Sequence, residues 1–114
     1  MLSDSRQFLY DIATAAQAIQ EFTHGRTLQD YEEDLMLRSA CERQFEIIGE
    51  AMTRLRDRHP NAFGSISDGH AIIAFRHRLI HGYDSVDPKI VWDVIARKLA
   101  ELDLVAQRRL NQDM

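Results

Sequence analysis

Only two prolines and five glycines interrupt this chain of 114 residues, and they fall beside signals that open and close helices. That scarcity predicts an all-α fold. Between the breaks, apolar residues return every three or four positions, and no stretch alternates for long enough to build a sheet. Ser3 is placed to cap a first helix to about Phe22, with Phe8, Ile12, Ala15, Ile19 and Phe22 on one face and His24-Gly25 as its end. Thr27-Leu28-Gln29-Asp30 has capping-box spacing and opens a long second segment, kinked near Asp34, that runs to His59-Pro60. Its inward stripe is Leu37, Cys41, Gln44/Phe45, Ile48, Ala51/Met52 and Leu55.

A loop from Asn61 to about Ser67 precedes a third helix, capped by Ser65 or Ser67 and closed by Gly82 as a left-handed terminator. Asp87 followed by Pro88 then starts a fourth helix, whose apolar face is Val91, Val94/Ile95, Leu99, Leu102 and Val105. The expected architecture is an up-and-down bundle of four to five helices. With 45% hydrophobic and 28% charged residues and no internal linker, residues 1–114 read as one globular domain rather than a disordered chain. No apolar run approaches the ~20 residues of a membrane span. The first residues lack the pattern of a secretory signal, and Cys41 is a lone cysteine, so a cytoplasmic location is expected.

A formal charge of −4 argues against a generic, charge-driven duplex binder. Local chemistry points the other way, because 12 of the 14 basic residues are arginines and they cluster: Arg54, Arg56 and Arg58 with His59; Arg76 and Arg78 with His77; Arg108 with Arg109. An arginine fork suits phosphate, whereas most such charges on helices simply face solvent.

The segment Ile73-Ala74-Phe75-Arg76-His77-Arg78-Leu79-Ile80-His81-Gly82-Tyr83 departs from the patterning of the other helices by crowding four polar side chains onto one helix end. On an ideal helix Arg76 and His81 diverge by roughly 140°, while His77 and His81 lie within about 40°. Arg76 and His81 therefore converge on one atom only if the helix end distorts or if two copies meet across a two-fold axis.

Arg76, four residues, His81, one residue and Tyr83 form the pattern by which the chain resembles the HepT-like family of HEPN ribonuclease toxins. The stretch Arg43 to Ala51, with Glu50-Ala51, is similar to the family's glutamate-alanine helix, and the likeness covers nearly the full chain. The resemblance implies a HEPN-like bundle that dimerises through its later helices. It further implies a metal-independent endoribonuclease, the toxin of a toxin–antitoxin pair, with a composite site at the homodimer interface and no cofactor. His81 suits proton transfer to and from RNA, since imidazole ordinarily titrates near pH ~6.5, and Arg76 suits the scissile phosphate. His77 stands where many members have asparagine, and either orients Arg76 or substrate phosphate or is an interface histidine. Glu50 is a candidate to orient Arg76. Tyr83 corresponds to the acceptor of adenylyl groups from a minimal nucleotidyltransferase antitoxin of the MntA type.

Other readings remain open on the residues alone. A non-catalytic helical module that binds a nucleotidyltransferase is the main alternative, followed by a plain dimeric scaffold. His70, His77 and His81, with Asp84 nearby, suggest a metal stripe, but His70 is about 10.5 Å from His77 along a helix, too far for one centre. Cys41 reads as packing rather than as a nucleophile. Asp30, Glu32, Glu33 and Asp34 complement a helix N-terminus or meet a basic partner, and Glu42, Glu46 and Glu50 form a stripe facing Arg38, Arg43 and Arg54.

Overall fold

Ser3 caps α1 (Asp4–Thr23) by accepting the Arg6 backbone N–H at 3.4 Å, and Gly25 turns the chain after it at φ +73°, a left-handed conformation that glycine adopts without steric cost. The computed structural model describes residues 3–82 and 86–112, and among these there is no strand. Phe22, expected on the inner face of α1, is 38% exposed. The inward place one turn after Ile19 belongs instead to Thr23, whose hydroxyl donates to the Ile19 carbonyl at 2.8 Å.

The capping box forms as expected. Asp30 N–H donates to Thr27 Oγ1 at 3.1 Å, and Thr27 N–H donates to Asp30 Oδ2 at 2.9 Å, opening α2 (Leu28–Glu33). At Asp34 the expected kink is a complete break, because this residue is extended at φ −112° and ψ 99°. Its carboxylate then accepts the Leu37 N–H at 3.0 Å and caps α3 (Leu35–Arg58).

Four further points differ from the sequence expectation. Pro60 does not lead into a loop but opens a short helix, α4 (Pro60–Gly64), since a proline without an N–H fits a first turn. α5 (Gly69–His81) starts after Asp68 rather than after a serine cap, and Ser65 instead closes α4 by donating to the Ala62 carbonyl at 2.7 Å. Gly82 ends α5 at φ −115°, so it is not left-handed; its N–H simply donates to the Arg78 carbonyl at 2.8 Å. Asp87 and Pro88 start α6 (Pro88–Arg97) as expected, with the aspartate accepting from Lys89 N–H at 2.9 Å. The anticipated single fourth helix divides at Lys98 into α6 and α7 (Leu99–Gln112), giving seven helical segments among the described residues.

α1 runs antiparallel to α3 and α7. At one end Asp4 meets His59 at 2.9 Å and Arg58 at 3.5 Å, and Arg6 donates to the Leu110 carbonyl at 2.8 Å; farther along, Gln17 donates to Asp103 at 3.1 Å. The His59 hydrogen bond, with Arg58 assisting, holds the Asp4 carboxyl below its ordinary range. Leu9, Ile12, Ala16 and Ile19 of α1 are buried with Cys41, Ile48, Met52 and Leu55 of α3 and Leu99 and Ala106 of α7. Each of the larger side chains contributes about 1.5–3 kcal/mol by leaving water, which makes these three helices the stable frame.

α5 lies along α3, with Phe75 edge-on to Phe45 at 5.1 Å, and α2 meets α6 through Tyr31 and Trp92 at 5.6 Å. Between α5 and the α6–α7 pair is an apolar groove of about 440 Å³ lined by Ile72, Phe75, Val94, Leu102 and Val105 among others. No described helix is long and apolar enough to cross a membrane.

Candidate active site

Gly49 sits near the middle of α3, where glycine costs about 1 kcal/mol relative to alanine. The reason for its presence lies on the neighbouring helix. A Cβ at position 49 would come within 2.3 Å of Arg76 Cβ, 2.6 Å of Cγ and 2.5 Å of Cδ. The stem of Arg76 therefore lies directly on the α3 backbone. Its Nε is enclosed and has no hydrogen-bond partner, and the guanidinium forms no ion pair among the described residues. An arginine held partly buried without a carboxylate is costly to a fold and needs a reason, and an anionic ligand supplies one.

His77 and His81 follow on the exposed side of α5. Their rings approach to 4.3 Å between centroids at 44°, as expected for positions four apart. His77 thus contacts His81, with no hydrogen bond to Arg76. His81 is five residues after Arg76, about 7.5 Å farther along the axis and turned by roughly 140°. The helix remains regular through His81, so distortion does not bring the two groups together within one chain. Arg78 takes another face and lines the apolar groove.

Glu50 is not brought to Arg76. It pairs with Arg54 at 2.8 Å in an exposed i,i+4 bridge, one helical position away from the face that Gly49 presents to α5. The residue of that segment that meets Arg76 is Gly49, which the spacing arguments passed over. Its signal was visible nonetheless: a lone glycine inside a strongly periodic helix marks a close approach. Arg43 likewise pairs with Glu46 at 3.2 Å, whereas Arg38 donates to the carbonyls of Tyr31 and Glu32 rather than to the glutamate stripe. Burial raises the Glu42 carboxyl, offset in part by Arg38.

The three-histidine stripe does not assemble. His70 packs edge-on against Phe63 at 4.8 Å, and among the described residues no three His, Cys, Asp or Glu side chains gather as a metal set. Tyr83 and Asp84 lie outside the described residues. Cys41 is fully buried, and that burial, reinforced by Glu42, pushes its thiol up to about 11, which suits packing and not nucleophilic chemistry.

The family model described as "Ribonuclease HepT-like" matches residues 12–109, which include α3, α5 and the whole Arg76–His81 segment. The chain belongs to the HepT-like ribonuclease family. A relative in Methanocaldococcus jannaschii, named "Putative RNase", is 31% identical over 96 residues, covering 84% of this chain and 78% of the relative. "Probable ribonuclease HepT" of Thermococcus cleftensis is 30% identical over 105 residues, or 90% and 92% of the two chains. A "Putative RNase" of Caldanaerobacter subterraneus subsp. tengcongensis is 29% identical over 112 residues, 95% of this chain and 96% of that one. No solved structure matches the chain. Ribonuclease activity is thus supported at the level of the HepT-like family, and the all-helical bundle agrees with the HEPN-like fold expected of it.

Proposed function

We propose that the chain is the toxin of a toxin–antitoxin pair, a metal-independent endoribonuclease whose site joins Arg76 and His81 from two copies of the chain. The observation that carries this reading is Arg76, a partly buried cation held on α3 with no carboxylate partner among the described residues. The chemistry balances without an added reactant. One His81 takes the proton from a ribose 2′-hydroxyl, the 2′-oxygen attacks phosphorus, and the bond from phosphorus to the 5′-oxygen breaks. A second, protonated His81 gives its proton to that leaving oxygen. Arg76 offers its donors to the non-bridging oxygens as their charge grows. The products are a 2′,3′-cyclic phosphate and a 5′-hydroxyl, and DNA, lacking the nucleophile, is not cut.

Two observations support a two-fold homodimer through the later helices. Arg76 and His81 diverge on a regular α5, and α5 with α6 and α7 leaves an apolar groove unfilled, with Ile90 of α6 40% exposed nearby. The purified chain is expected to sediment as a dimer at micromolar concentration, and a monomer there counts against the composite site. His77, in ring contact with His81, is placed to limit that ring's freedom or to meet substrate phosphate. Tyr83 is the proposed acceptor of an adenylyl group from a minimal nucleotidyltransferase antitoxin. The added phosphate would occupy the Arg76 donors and exclude RNA.

The deciding experiment is incubation of single-stranded RNA with the purified chain, with and without EDTA, and end analysis of the products. Unchanged cleavage in EDTA with cyclic-phosphate ends is the expected outcome. Cleavage abolished by EDTA and restored by a divalent metal overturns metal independence, and RNA or partner binding without any cleavage favours the non-catalytic module that the net charge of −4 suits better.

A further inference from the structure

We infer that Gly49 is a positioning residue for Arg76: the missing Cβ on α3 forms the seat that holds the guanidinium in its phosphate-binding pose. This rests on the catalytic reading of Arg76 given above. The stem atoms Cβ, Cγ and Cδ all fall within 2.3–2.6 Å of where a Cβ at position 49 would stand. A clash with the root of a side chain cannot be relieved by swinging its tip, so any side chain at position 49 must displace Arg76 or part the two helices. The seat has a second consequence, since it encloses Nε and no other nitrogen of Arg76 is left both buried and unpartnered. The paired terminal amino groups remain the part of the guanidinium free to meet phosphate. A long side chain that would otherwise sample many rotamers is thereby restricted before substrate arrives, and such preorganisation strengthens charge stabilisation in the transition state.

A purely structural role for Gly49, close helix packing, makes different predictions. Gly49→Ala is expected to lower kcat for RNA cleavage by on the order of 10²-fold, the penalty typical of an ångström-scale misplacement. In an Arg76→Gly background, which removes the Cβ, Cγ and Cδ that a side chain at position 49 would strike, the same substitution is expected to change residual activity less than about threefold, because its effect passes through the Arg76 side chain. The Nε–H signal of Arg76 in nitrogen relaxation measurements is expected to be as rigid as the backbone in the unmodified chain and mobile in folded Gly49→Ala. Equal losses in both backgrounds, or wild-type kcat with an unmoved Nε–H signal, overturn the inference. If Gly49→Ala does not fold, the unmodified chain decides: a mobile Arg76 Nε–H refutes the seat, and a rigid one supports it. Full activity of Arg76→Ala overturns the catalytic reading itself, an outcome distinct from a failure of the seat.

Discussion

Replacing His81 with alanine is expected to reduce RNA cleavage by about 10²- to 10⁴-fold while the helical fold persists. The size follows from removing the group that carries a proton at each end of the reaction. The persistence of the fold follows from the position of His81, in the last turn of α5 and exposed, where its ring meets that of His77. No core side chain depends on it, so circular dichroism and the thermal transition are expected to stay close to those of the parent. Single-turnover cleavage of a defined RNA is the appropriate measurement, because it isolates bond breaking from product release. Parental activity in a folded His81→Ala variant removes His81 from the mechanism.

Arg76→Ala is expected to cost about 10²- to 10³-fold, the range seen when a preorganised donor to a developing oxyanion is lost. Lysine is expected to restore only part of this, since an ammonium lacks the planar fork and its stem would have to occupy the same narrow seat over Gly49. Stability should change little. The substitution gives up the packing of the stem on α3 but also removes a partly buried cation that has no carboxylate partner among the described residues. A large fall in the melting temperature would show that the arginine serves the fold rather than the chemistry. Mixing the parent chain with an excess of His81→Ala provides a sharper test of the composite site. Each mixed dimer keeps one His81 where the proposed reaction uses two, one as base and one as acid, so it is expected to be nearly as inactive as the His81→Ala homodimer. Half of the parental activity in a proven mixed dimer argues instead that each chain cuts RNA on its own.

Much of this was legible in the residues themselves because helix starts are local events. Ser3, Thr27 with Asp30, and Asp87 before Pro88 each satisfy backbone N–H groups two or three positions away, and all three act where their spacing predicts. The stripe through Cys41, Phe45, Ile48, Met52 and Leu55 likewise expresses a helical period that tertiary packing only ratifies. Helix ends were less readable. Asp34 breaks where a kink was expected, Lys98 divides a run whose apolar period continues across it, and Gly82 terminates α5 without using the conformation that favours glycine. At each of these points the period does not record whether the chain must bend to reach its next partner.

The sequence by itself determined that this chain is a helical bundle with Arg76 and His81 near the end of one helix and on divergent faces, because cap spacing and helical pitch depend only on near neighbours. Tertiary structure alone decided what those groups meet. Glu50 and Gly49 are adjacent in the chain, yet the first turns out to Arg54 while the second receives the stem of Arg76 from 27 positions away. One helical step, about 100°, separates the face of α3 that touches α5 from the face that touches water. Which of the two residues occupies the contact is set by how the helices cross, a property of the packed core as a whole.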